Sequence, residues 1–189
     1  LQDLRRLEPT IEQLERSVKA NPSLAVARMR LGIALQAFGD LDGAISHLQT
    51  AVTLDPSSAD AQNNLGLALT QKGRGDDAVA ILRALSAAQP NYVPGRLNLG
   101  MALMQQGNLA EAVSVLKGLL AADPTNAEAA YNLGVALKQQ DNFTEAEAAL
   151  KKAATLDPAL PDPPFTLGVL LWQTGRPKEA LETFRSAIA

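Results

Sequence analysis

Cysteine is absent from the 189 residues, and aromatic side chains make up only 4% of them. The first absence removes disulfides, thiol nucleophiles and thiolate metal sites together. It suits the cytoplasm and the periplasm alike, with the balance slightly toward the cytoplasm. Histidine occurs once, as His47, directly before the apolar Leu48; at that place it reads as an exposed surface residue rather than a base or a ligand. No apolar run approaches the roughly 18 residues of a membrane span. Seventeen basic residues stand against twenty acidic ones with no basic run, for a net charge of −3, which argues against nucleic acid as the partner. The acidic surplus is equally too small for a cation store. No HExxH, phosphate loop or nucleophile elbow occurs. The acidic pairs Asp76–Asp77 and Glu145–Glu147 fall near helix starts, where the helix dipole accounts for them. These absences predict no enzyme, no cofactor and no metal. Leu1 to Glu8 also lack an initiator methionine and the basic-then-apolar order of a signal peptide, so the chain reads as a piece of something longer.

What is present is periodic. With 47% hydrophobic and 20% charged residues the chain has the makings of a folded core. Proline recurs every 34 residues at Pro22, Pro56, Pro90, Pro124 and Pro158. Leu-Gly recurs in register at Leu31-Gly32, Leu65-Gly66, Leu99-Gly100, Leu133-Gly134 and Leu167-Gly168. Twelve residues after each glycine stands Ala44, Ala78, Ala112, Ala146 or Ala180, and sixteen after it a large apolar residue, Leu48, Leu82, Leu116, Leu150 or Phe184. Four columns holding one period five times mark a repeat architecture.

Each unit reads as two helices joined at Gly39, Gly73, Gly107 and Gly175, with Asp141 in the remaining copy. The proline ends the second helix, since it cannot continue one and biases its predecessor away from the α region. Ser58, Thr125 and Asp162 occupy expected N-cap places, Thr125 with Glu128 fitting a capping box. Pro94 and Pro163 fall in first turns, where a missing N–H costs little. A mid-helix glycine costs about 1 kcal/mol against alanine, so its repetition implies close approach of the hairpin's second helix, with the facing alanine serving the same contact.

Leucine-glycine, alanine, large apolar residue and proline at this spacing resemble the tetratricopeptide repeat. The resemblance implies an all-α fold, a right-handed superhelical solenoid of antiparallel helix pairs. Residues 1–24 would hold the closing helix of a partial repeat. Repeats would follow at 25–58, 59–92, 93–126 and 127–160, with a shortened one at 161–189. The family's aromatic near the start of the first helix is replaced by Arg28, Gln62, Arg96, Ala130 and Pro164. Its tyrosine after the glycine is leucine in every copy.

The resemblance also implies that the first helices line an inner surface. At about 100° per residue, Leu31 and Leu35 mark the buried side. The opposite side carries Met29, Ile33 and Gln36; Asn63, Leu67 and Thr70; Leu97, Met101 and Met104; Tyr131, Val135 and Lys138; Phe165, Val169 and Trp172. Beside it runs a row of amides, Asn64, Asn98 and Asn132 with Arg30 before and Thr166 after, then Gln71, Gln105, Gln139 and Gln173. Amides both donate and accept, so a greasy floor with an amide edge suits an extended peptide. The asparagine column is similar to that of O-linked N-acetylglucosamine transferases, where asparagines hold peptide backbone. The chaperone-tail type of the family clamps a terminal carboxylate with lysines and an asparagine just after the glycine. Here Ile33, Leu67, Met101, Val135 and Val169 stand there, against such a clamp.

The expected function is a scaffold or adaptor that binds a protein or peptide in its groove. Two other expectations remain: a substrate-presenting arm of a larger enzyme such as a glycosyltransferase, and self-association through exposed repeat ends, which need polar caps.

Overall fold

The computed structural model describes residues 2–187, and among them eleven α-helices and no strand occur. They are α1 (Gln2–Ala20), α2 (Ala25–Phe38), α3 (Leu41–Leu54), α4 (Ala59–Gln71), α5 (Gly75–Ala88), α6 (Val93–Gln105), α7 (Leu109–Ala122), α8 (Ala127–Gln139), α9 (Phe143–Leu156), α10 (Asp162–Gln173) and α11 (Pro177–Ala187). The chain divides into two compact units, Leu1–Asn98 and Leu99–Ala189, with the division inside α6.

Within the first unit α1 packs on α2, α2 on α3, α3 on α4 and α4 on α5, and the first helices α2 and α4 also touch. Within the second, α7 packs on α8, α8 on α9, α9 on α10 and α10 on α11, with α8 and α10 touching. Antiparallel pairing follows from the tight turn inside each hairpin. Gly39, Gly73, Gly107 and Gly175 have φ of 100°, 80°, 76° and 78°, and Asp141 takes the same left-handed turn at 58°. The residue after each closes a backbone hydrogen bond to a leucine carbonyl near the helix end: Asp40 to Leu35, Arg74 to Leu69, Asn108 to Leu103, Asn142 to Leu137 and Arg176 to Leu171, at 2.9–3.0 Å. A left-handed residue lets the chain satisfy an orphan carbonyl while reversing direction.

The leucine-glycine column admits the second helix of the hairpin, as its spacing implies. A Cβ on Gly66 would sit 2.5 Å from Leu82 Cγ, one on Gly134 2.7 Å from Leu150 Cγ, and one on Gly168 2.5 Å from the Phe184 ring. The glycine therefore receives chiefly the large residue sixteen positions on, and at Gly32 also the carbonyl of the alanine twelve positions on, 3.1 Å from such a Cβ. Ala44, Ala78, Ala112, Ala146 and Ala180 are nevertheless wholly buried, as are Leu48, Leu82, Leu116 and Leu150. Each such leucine contributes roughly 1.5–3 kcal/mol by leaving water.

Helix starts correct the sequence reading in two places. Ser58 does cap α4, accepting from the Ala61 N–H at 3.2 Å. The cap of α8, however, is Asn126, which accepts from the Ala129 N–H at 2.8 Å. Thr125 instead donates to Asp123 at 2.7 Å, so the capping box with Glu128 does not form. Asp162 lies inside α10, whose cap is Pro161. Two of the residues that replace the family aromatic have their own structural use: Arg28 Nε donates to the Pro22 carbonyl at 3.0 Å and Gln62 Nε2 to the Pro56 carbonyl at 2.6 Å. Each ties its helix to the preceding turn.

Candidate functional site

In the first unit several amides of the first-helix face are engaged between or within repeats. Asn98 Nδ2 donates to Asn63 Oδ1 at 2.8 Å, and Gln36 Nε2 donates to Gln71 Oε1 at 2.9 Å. Both bonds span 35 residues, one period plus one, and so join neighbouring repeats. Asn64 Nδ2 turns back to the Asp60 carbonyl of its own helix at 2.8 Å. Asn63 and Leu97 are buried, 8% and 6% exposed, which places them in the packing rather than on an open floor. Met29 borders only a crevice of about 20 Å³ against Ala51, Asp55 and Ala61. Leu67 is half-buried and Gln71 exposed. Among the described residues this unit also has a recess of about 600 Å³ between α1 and α2, lined by Leu14, Ser17, Arg30 and Ile33.

His47 also departs from expectation. It is half-buried, with Arg28 Nη1 3.5 Å from its Nδ1. Burial first, and then the Arg28 charge, hold its pKa below the usual 6.5, against the weaker pull of Glu15 and Asp40.

The second unit opens two recesses on the same kind of face. One of about 550 Å³ is lined by Tyr131, Val135, Lys138 and Gln139 of α8, by Asp141 and Phe143, and by Thr166 and Gln173. The other, of about 370 Å³, has Met101, Glu128, Tyr131 and Asn132 on one side and Asp157, Leu160, Asp162 and Pro163 on the other. Tyr131 belongs to both. Its hydroxyl lies 3.5 Å from Thr166 Oγ1, a pairing with the same 35-residue step as Asn63 with Asn98. Asn132 is only 7% exposed yet borders the second recess. Trp172 and Phe165 are 66% and 59% exposed, and the Phe165 ring leans on Phe184 with centroids 5.6 Å apart. Met104 and Val169 are half-buried, and Met101 and Gln105 exposed. Thus Met101, Tyr131, Asn132, Val135, Lys138 and Gln139 are gathered around two recesses, while Asn63, Asn64, Leu97 and Asn98 are occupied by packing or by one another.

Sequence reasoning missed Asp141, Phe143, Asp157 and Leu160, which close the recesses from turns and helix ends. Asp141 carried a signal, being the non-glycine in the left-handed turn column. Glu147 of the expected acidic pair is a structural anchor: it accepts from Arg176 Nη1 at 2.6 Å and Lys151 Nζ at 2.7 Å. Those bonds hold its carboxyl below the usual 4.5. Among the described residues no cluster of three metal-ligating side chains occurs, and no helix is long and apolar enough to cross a membrane.

Family models of the tetratricopeptide repeat match residues 11–59, 29–93, 97–161 and 137–189. The chain belongs to the tetratricopeptide-repeat family. No curated protein matches it in sequence. Among solved structures it is similar to TTC0263, a thermophilic tetratricopeptide-repeat protein of Thermus thermophilus, at 27% identity and a TM-score of 0.75, over 87% of this chain and 90% of that one. It is similar to MamA of Desulfovibrio magneticus at 23% identity and a TM-score of 0.74, over 87% and 93% of the two chains. YrrB, described as having an unusual peptide-binding site, is 21% identical with a TM-score of 0.67, over 94% and 92%.

Proposed function

We propose that this chain is a non-catalytic protein-interaction scaffold whose second unit holds an extended peptide segment of a partner. The observation that carries the reading is the pair of recesses sharing Tyr131. A ligand crossing that ring would fill both, and an extended chain advances about 3.3 Å per residue, so alternate side chains would drop to either side. Asn132 at one recess and Gln139 and Gln173 at the other offer amides to peptide N–H and C=O groups, as in the asparagine column of the glycosyltransferase repeats. Trp172 and Phe165 offer the large exposed apolar area typical of binding anchors. The naming of a peptide-binding site for YrrB supports the same reading.

The test is selection of a phage-displayed library of linear peptides on the folded chain. The winners are then titrated while Trp172 fluorescence is followed, Trp172 being the sole tryptophan. Tyr131→Ala should weaken binding about thirtyfold, the loss of one aromatic anchor worth ~2 kcal/mol. Enriched peptides that bind Tyr131→Ala by this readout, and Trp172→Ala by titration calorimetry, as tightly as the parent would refute the site.

A further inference from the structure

The recess beside Tyr131 contains one cation and one anion that do not pair with each other. Lys138 is half-buried near the end of α8, and among the described residues its amine has neither an ion pair nor a side-chain hydrogen bond. Asp141 stands three residues on, its side chain exposed on the same recess. In this unit Lys117, Lys151 and Arg176 are each engaged by a carboxylate at 2.6–2.8 Å, whereas, among the described residues, Lys152, Lys178 and Arg185 have no such pair and line no recess with an acidic side chain of their own hairpin turn. The remainder of the lining is neutral: two hydroxyls, Tyr131 and Thr166, two amides, Gln139 and Gln173, and the apolar Val135 and Phe143.

Both charges also break columns. Four residues after the glycine, the other repeats carry Gln36, Thr70, Met104 and Trp172, all neutral; Lys138 alone is charged. In the turn column the other repeats carry glycine, and Asp141 alone adopts φ 58° with a side chain. A non-glycine residue in that region costs of order 1–2 kcal/mol, least for Asp and Asn.

A ligand of purely acidic character does not suit this place. The residues from Leu99 on carry ten acidic against seven basic side chains, and Asp141 itself would repel a second carboxylate. A purely basic ligand would meet Lys138. We infer, resting on the peptide-binding reading above, that this recess recognises a partner segment presenting an acidic and a basic side chain together, the carboxylate to the Lys138 amine and the cation to Asp141. Charge complementarity of this kind fixes register more than it adds affinity. The direction in which the segment crosses Tyr131 is thereby set.

The same library selection tests it, run in parallel on the parent, Lys138→Glu and Asp141→Lys, each first checked for an unchanged melting temperature and helix content. Peptides selected on the parent should share an acidic and a basic position at fixed spacing. Lys138→Glu should replace the acidic position by a basic one, and Asp141→Lys should do the reverse. Against parent-selected peptides, Lys138→Gln should weaken binding on the order of tenfold at low salt and much less at high salt. Peptides that depend on Tyr131 but show no paired charges, or whose charges do not follow the swaps, would overturn this inference and leave the peptide-binding reading standing. Absence of any enriched peptide would overturn both. If a charge-swapped variant melts early, Lys138→Gln and Asp141→Asn supply the same comparison through the loss of one enriched position each.

Discussion

The two units are built from the same repeat yet present unlike first-helix faces. In the first, Gln36 reaches Gln71 and Asn98 reaches Asn63, so amides spend their hydrogen bonds on neighbouring hairpins. In the second, the place of the Asn63–Asn98 bond is taken by Tyr131 and Thr166 at 3.5 Å, and recesses open on both sides of the ring. The second unit also carries the exposed aromatics Phe165 and Trp172. One face carries polar bonds between repeats; the other carries the recesses on which the peptide-binding proposal rests. The columns that make a repeat are alike in both units, so the difference comes entirely from positions the fold leaves free.

The sharpest way to break this comparison is to exchange anchors. Removing Tyr131 and Trp172 together should abolish measurable binding of selected peptides, while Asn63→Ala with Asn98→Ala should leave it within about twofold, read for both by isothermal titration calorimetry. Stability should show the opposite order. Asn98→Ala strips the donor from the buried Asn63 carbonyl and should cost about 1–3 kcal/mol in urea unfolding.

The shared architecture can be sharpened within the second unit alone. Gly134→Ala would push a Cβ to 2.7 Å from Leu150 Cγ, whereas Gly100→Ala would meet Leu116 at 3.1 Å. The first should destabilise by about 1–3 kcal/mol through overpacking. The second should fall near zero, since the gap needs only a small shift and alanine favours the helix by about 1 kcal/mol. Equal losses at the two glycines would contradict the packing account.

A smaller effect is expected with pH, and it differs between units. The pKa of His47 is lowered in the fold, so the unfolded chain binds its proton more readily. Stability from this source is full above the unfolded value of 6.5 and declines as pH falls below it. In the second unit Glu147 is held below 4.5, so its contribution is present above that value and lost as pH falls through the lowered one. Protection factors from hydrogen exchange, corrected for the slower intrinsic exchange in acid, should therefore fall first around α2 and α3 on mild acidification, and around α9 and α11 only in stronger acid. His47→Gln should flatten the first response.

Much of this was legible in the residues. The Leu, Gly, Ala and Pro columns pointed to the hairpins because close packing repeats at fixed spacing. The left-handed turns followed from glycine, with Asp141 as the exception. The Gly32–Leu48 type of contact was not legible, because spacing alone does not say which of two buried columns faces the glycine. Thr125 was misread because Asp123 competes for its hydroxyl, leaving Asn126 to cap. His47 was misread because Arg28, nineteen residues away, lies against it. The proposed binding face was legible as a list of side chains but the recesses were not, since Asp141, Phe143, Asp157 and Leu160 come from turns and helix ends that a helical wheel omits. The pairing between neighbouring repeats did leave a trace: positions three before one glycine and two before the next are 35 residues apart, and they hold Asn63 with Asn98 and Tyr131 with Thr166.

The most direct test of the account is hydrogen–deuterium exchange on the intact chain with and without a library-selected peptide. Protection concentrated in α8, α10 and the Asp141 turn, with α2 and α4 unchanged, is the predicted result. Protection centred on α2 and α4 instead, or spread evenly over both units, would contradict it.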